Sequence, residues 1–339
     1  MPSERVKRRN ASWFQRGIAW PLQVIPVALA VPLLALMPRR MAGWLGSLVI
    51  GLLGPHSTRH ARNVGCNLAV AFPDLTPRAA RELRRRIWRH IGRVMFTSPH
   101  IPPLLRGQSG REFEVDGEHH VEDAASSGAF ILVGAHLGHW EMTCGHAALR
   151  GYRVSALYTP LPNPWLDRLL LYLRSRGGDR LTLIPRGAMA LRQLIGSLRR
   201  GEGLFMIVDQ RVDGGQWHPF FGSLAKTTTT PARLAYGHNC PIIPCRTILL
   251  PGDRYRISYY APIRPDLSLP ADAEISRIMR SINEMFESWI REFPGQWLCT
   301  KRRWPKQPHG LAETARLTRG RTGREGVSDL PPVAWPVGR

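Results

Sequence analysis

A chain of 339 residues exceeds the usual single core, yet that length suits one α/β catalytic domain with terminal extensions. Its 47 lysines and arginines outnumber 25 acids, a formal charge of +22 spread along the chain, which implies a large positive face and an acidic partner: anionic lipid, nucleic acid or an acidic protein. Five cysteines, odd in number and without CxxC spacing, argue against a disulfide framework or a zinc ribbon and fit a reducing compartment.

Residues 1–57 read as a basic segment followed by a membrane anchor. Gly17 to Met37 is almost continuously apolar and long enough to cross a bilayer, although Pro21, Pro26 and Pro32 interrupt it, and a second apolar run spans Met41 to Gly54. Arg5, Lys7, Arg8, Arg9 and Arg16 precede the first run while Arg39 and Arg40 follow it, so an interfacial anchor or hairpin on the cytoplasmic leaflet accommodates both flanks. A signal peptide cleaved near Ala28-Leu29-Ala30, or two core helices of a soluble protein, are the competing readings.

The catalytic domain is expected over 58–305. A helix from Thr58 stops at Phe72-Pro73, and Thr76-Pro77 opens another through about Phe96, with Thr76 as N-cap. The arginine-rich face of this second helix, from Arg78 to Arg93, either approaches lipid phosphates or is simply solvated. Strands are expected at Glu112 to Val115, Ala129 to Gly134, Arg153 to Tyr158, Leu181 to Ile184, Leu204 to Val208, Ile242 to Leu249 and Tyr255 to Tyr260. Helices alternate with them at Val121 to Ser126, Trp140 to Leu149, Pro164 to Arg176, Ala188 to Arg199 and Pro231 to Tyr236. Such alternation predicts α/β layers around a mainly parallel sheet flanked by helices. Beyond Pro305 the chain is rich in Arg, Gly and Pro, and 306–339 reads as a disordered basic tail.

The most telling segment is His136-Leu137-Gly138-His139-Trp140-Glu141, where a buried strand delivers an imidazole and a carboxylate onto one strand-to-helix turn. Spaced so, Glu141 can reach back to one ring nitrogen of His136, leaving the other to take a proton as a general base. A set of His136, His139, Glu141 and His146 around a metal is the weaker alternative, because the spacing does not reproduce His-Glu-x-x-His. No Gly-x-Ser-x-Gly elbow is present, but with His136 acting as base on a substrate hydroxyl no enzyme nucleophile and no covalent intermediate are needed, and neither a cofactor nor a metal is expected.

This histidine followed after four residues by an acid resembles the signature of the lysophospholipid acyltransferases, specifically the bacterial lipid A biosynthesis (late) acyltransferase family. Further blocks are similar: Tyr158-Thr159-Pro160-Leu161-Pro162-Asn163-Pro164, Ile184-Pro185-Arg186-Gly187, Asp209-Gln210, Phe220-Phe221-Gly222, the threonines before Pro231, and Gln296 to Pro305. The resemblance implies His136, Glu141 and Arg174 as catalytic residues. It implies substrate contacts at Arg186, Asp209, Gln210, Thr229, Arg302 and Arg303, and makes Trp304 an interfacial anchor. Thr159, His139 and Lys301 depart from residues frequent in the family, where arginine, asparagine and histidine stand.

The implied activity moves a fatty acyl chain from acyl-acyl carrier protein to a hydroxyl of a lipid A precursor, at the cytoplasmic face of the inner membrane. Another lysophospholipid or a phosphatidylinositol mannoside is the alternative acceptor. An inactive relative, or a non-catalytic protein binding anionic membrane or nucleic acid, is the reading from another class, but aromatic stacking motifs are missing and no nucleic-acid partner is expected.

Overall fold

The computed structural model describes residues 12–107, 112–175 and 179–305. The expected tail therefore lies outside the described residues, as do Arg5, Lys7, Arg8 and Arg9.

In chain order the helices are α1 (Trp20–Leu36), α2 (Arg39–Leu53), α3 (Thr58–Ala71), α4 (Pro77–Thr97), α5 (Ile101–Arg106), α6 (His119–Ser127), α7 (Glu141–Leu149), α8 (Pro164–Ser175), α9 (Ala190–Arg199), α10 (Thr230–His238) and α11 (Ala271–Glu292). The strands are β1 (Phe113–Asp116), β2 (Phe130–Gly134), β3 (Val154–Tyr158), β4 (Leu181–Pro185), β5 (Gly203–Ile207), β6 (Gln216–Phe220), β7 (Ser223–Thr227), β8 (Ile242–Leu249) and β9 (Tyr255–Tyr259). Seven of them form one sheet in the order β1-β9-β8-β2-β5-β3-β4. The block β8-β2-β5-β3-β4 is parallel, and the pair β9-β1 runs antiparallel to it at one edge. This is the mainly parallel α/β sheet expected from the alternating pattern. β2 is buried along its whole length, as suits a central parallel strand covered on both faces.

Besides the short helix α5, two features were not read from the sequence. One is the antiparallel hairpin β6–β7. The other is α11, a helix whose apolar stripe Ile275, Ile278, Met279, Ile282, Phe286, Trp289 and Ile290 fills the main core. That stripe follows helical spacing and was legible.

A π-helical stretch Gln15–Ala19 continues into α1, and Gln15–Leu36 together make a helix long and apolar enough to cross a membrane. None of its residues is buried, so the core-helix reading fails for α1. By contrast, α2 packs one face against α4. A side chain at Gly46 would strike the Gly92 carbonyl, and one at Gly92 would strike that of Gly46, so the two backbones meet at paired glycines. Thr76 caps α4 as expected, accepting from the Ala79 amide at 3.3 Å. Along α4, Arg78, Arg81, Arg84, Arg85, Arg86 and Arg89 are exposed, whereas Arg93 pairs with Asp253. All five cysteines are free thiols, and four of them are buried.

Candidate active site

The site forms at the carboxyl edge of the parallel block, where open α/β sheets collect ligand-binding groups. His136 stands two residues past β2. The loop that follows approaches β8 so closely that Gly138, at φ +57°, has no room for a Cβ against the Thr247 carbonyl. The C-terminal segment pins this loop from outside: the Leu298 amide donates to the His136 carbonyl at 2.8 Å, and the Gly138 amide donates to Gln296 at 3.0 Å. Asn67 on α3 holds that segment in turn, donating to the carbonyls of Cys299 and Lys301 at 2.8 Å each and accepting from the Arg303 amide at 2.9 Å. The sequence marks Asn67 only as part of an Asn-Leu segment similar to the family's N-terminal part and gives it no contact, because its partners lie more than two hundred residues away.

The acid that orients His136 is Asp209, not Glu141. Nδ1 of His136 lies 2.6 Å from Asp209 Oδ1, and Trp297 Nε1 donates to Asp209 Oδ2 at 3.1 Å. Burial opposes charge on Asp209, but the His136 interactions and the Trp297 donor outweigh it and hold the carboxyl below its ordinary value. An ionised carboxylate only accepts, so Nδ1 carries the proton and Nε2 keeps its lone pair. Gln210 donates its amide N–H to that lone pair at 3.1 Å.

Glu141 opens α7, and its carboxylate turns toward the last turn of α8. There Arg174 Nε donates to it at 3.0 Å, and Nη2 bonds the same oxygen. Burial opposes the Glu141 charge, yet the Arg174 guanidinium prevails and holds the carboxyl below the usual range. Glu141 and His136 thus line the same cavity without sharing a hydrogen bond. His139 also lines this cavity, with its ring buried against Tyr255, whereas His146 lies apart and its Nδ1 bonds Tyr259 Oη at 2.9 Å.

A cavity of about 330 Å³ opens from these groups. Its polar end has His136, Glu141, Arg174, Arg186, Gln210, Arg211, Thr228 and Lys301, and its other end is apolar, with residues of α5, α7, β3, β4 and β5. Of the residues named from sequence, His136, Glu141, Arg174, Arg186 and Gln210 therefore come together here, with Asp209 behind the imidazole. Thr229 does not line it: its hydroxyl accepts from Arg233 Nε at 3.1 Å, and the neighbouring Thr228 faces the cavity instead.

Arg303 is a correction. Its side chain is 1% exposed, donates to the Lys226 carbonyl at 2.7 Å and to Thr227 Oγ1 at 2.6 Å, and lies over the Phe220 ring. A guanidinium spent on those acceptors inside the core is not placed to meet a lipid phosphate. Arg302 also stands outside the cavity lining, with Nη2 donating to the Pro305 carbonyl at 3.4 Å. Trp304 is no interfacial anchor either, because it is buried against Phe220 and donates Nε1–H to the Phe220 carbonyl at 3.2 Å. In the Tyr158-to-Pro164 loop, Asn163 Nδ2 donates to the Trp20 carbonyl at 3.1 Å and to Gln23 Oε1 at 3.2 Å. It thereby ties α1 to the start of α8, beside the cavity.

An imidazole held by a buried aspartate, beside a cavity with a largely apolar lining at the edge of a parallel sheet, is an arrangement that can take a proton from a bound substrate. The chain belongs to the bacterial lipid A biosynthesis acyltransferase family, whose sequence model matches residues 17–306. It is similar to a lipid A biosynthesis acyltransferase of Haemophilus influenzae, 24% identical over 78% of this chain and 82% of the relative. It is also similar to a lipid A biosynthesis palmitoleoyltransferase of Escherichia coli and a lipid A biosynthesis acyltransferase of Shigella flexneri, each 22% identical over 88% of this chain and 92% of the relative. The chain is accordingly an acyltransferase of lipid A biosynthesis by family.

Proposed function

We propose that this protein transfers a fatty acyl chain from acyl-acyl carrier protein to a hydroxyl of a Kdo2-type lipid A precursor, directly and with His136 as general base. The observation that carries the reading is the 2.6 Å contact of His136 Nδ1 with the buried Asp209 carboxylate, with the imidazole lining the cavity. An acceptor hydroxyl taking the place of the Gln210 amide would give its proton to Nε2 while its oxygen attacks the thioester carbonyl. The C–S bond then breaks, and the imidazolium returns the proton to the departing thiolate. Negative charge developing on the carbonyl oxygen is favoured by the cationic end of the cavity, Arg174 foremost.

Partners follow from charge and exposed apolar surface. A net charge of +22 steers an acidic carrier protein, and the exposed arginines of α4 suit either that carrier or lipid phosphates. Helix α1, unburied and tied to the cavity by Asn163, would hold the catalytic domain at the inner membrane, on its cytoplasmic face. The test is incubation of the full-length protein in membranes with labelled acyl-acyl carrier protein and either the lipid A precursor or a lysophospholipid, with products read by mass spectrometry. Acylated lipid A precursor, absent with His136→Ala, is expected. Product from the lysophospholipid alone overturns the acceptor, and product that survives His136→Ala overturns the mechanism.

A further inference from the structure

Resting on that reading of the cavity as the acyl site, we infer that Gly145 and Leu105 form a constriction in its wall that sets the longest acyl chain the enzyme accepts. Strand register fixes the depth scale. Tyr158 pairs with Pro185 at the catalytic edge, Ala156 with Leu183 midway, and Val154 with Leu181 at the far end. Leu181 lines the cavity, so the apolar bore runs down the sheet for four strand residues from the catalytic edge, about 13 Å at ~3.3 Å each. Phe205, paired with Ala156 on β5, lines the same middle level. Across the bore, Gly145 lies four residues after Glu141, hence one helical turn along the same face of α7 and away from the imidazole. Leu105 comes from α5, and both residues line the cavity.

Gly145 has no backbone reason to be glycine. It sits inside α7 with φ outside the left-handed region, where helix propensity favours alanine. The one group that a Cβ there would meet within 4 Å is Leu105 Cδ1, at 3.0 Å. No main chain presses on this position, in contrast to Gly46 and Gly92. The space that a side chain would take is closed by that leucine methyl, so the two residues meet tightly in the cavity wall. A methyl group added at Gly145 drives the Leu105 end aside and narrows the bore at this level, and truncation of Leu105 opens it.

The experiment uses the full-length protein in detergent micelles with two readouts. The first is thermal stabilisation by saturated fatty acids of graded length, which needs no turnover. The second is competition among acyl-acyl carrier proteins of the same lengths for one lipid A precursor. Gly145→Ala is expected to shift both profiles to shorter chains and Leu105→Ala to longer ones, each by on the order of tenfold in preference at the limiting length. The leucine end can rotate aside, so Gly145→Ala folds; should Leu105→Ala not fold, Gly145→Ala alone decides. Unchanged profiles with intact fatty-acid binding overturn the constriction. Graded fatty-acid binding without transfer to any precursor overturns the proposed reaction while leaving the constriction to be judged by the binding shifts.

Discussion

His136 and Asp209 each lie two residues beyond the carboxyl end of a parallel strand, and the last residues of those strands, Gly134 and Ile207, are register partners. The sheet continues one step past them, where the Val208 amide donates to the Gly134 carbonyl at 3.1 Å. Strand pairing itself therefore sets the imidazole opposite its carboxylate. Asp209→Asn is expected to keep the fold and reverse the ring's proton, because an amide can donate to Nδ1 and push the proton to Nε2. Activity should fall by about 10²- to 10⁴-fold. Nitrogen NMR of the His136 ring reads the tautomer, and an unchanged tautomer with full activity sinks the assignment.

Glu141 acts through a different partner, and the two acids should separate experimentally. Glu141→Gln leaves the Nδ1 tautomer alone and releases Arg174, whose loss of position is expected to lower turnover by about 10²- to 10³-fold. Because two Arg174 N–H groups meet one Glu141 oxygen, Arg174→Gln and the double variant should lose little more than either single change. A coupling energy close to the single-variant loss, about 3–4 kcal/mol, is expected from the cycle. Strictly additive losses would mean that the pair is not a unit.

The contrast between these acids marks what the sequence could carry. His136, the strand before it and the helix after it were legible, since each rests on local pattern. That Asp209 closes a strand was legible too, but which strand neighbours β2 is a matter of topology, and β5 follows it by some seventy residues. Glu141 drew the orienting role only through its nearness in sequence. Arg303 and Trp304 misled through the resemblance: a closing motif of aromatic and basic residues implied lipid contacts, while here the hairpin β6–β7, itself unread, supplies the carbonyls and rings that bury both.

Arg303 therefore belongs to stability. Arg303→Ala empties a buried site and strands the Lys226 carbonyl and the Thr227 hydroxyl, at a cost of roughly 2–4 kcal/mol. Urea denaturation measures the loss. The Michaelis constant for the phosphorylated acceptor, taken on the folded fraction, is expected to stay where it is. A raised Michaelis constant with native stability would return Arg303 to the substrate.

His139 supplies a test in pH. Burial pushes its pKa down to about 4 from an ordinary 6.5, with Glu141 opposing, and burial does the same to His90, which lies close enough to feel its charge. Both are neutral in the native protein while the unfolded chain takes up protons near pH 6.5. Between pH 6.5 and 4 the unfolded state binds more protons, so stability falls as pH falls, by up to about 1.4 kcal/mol per pH unit for each histidine. Asp209 and Glu141, held below their ordinary values, lose their contribution only at lower pH, which keeps the two windows apart. His139→Asn removes one titrating group and should flatten the dependence of the urea midpoint between pH 7 and 5. An identical slope in the variant would mean that His139 is already charged in the native state, and the buried neutral ring assigned here would be wrong.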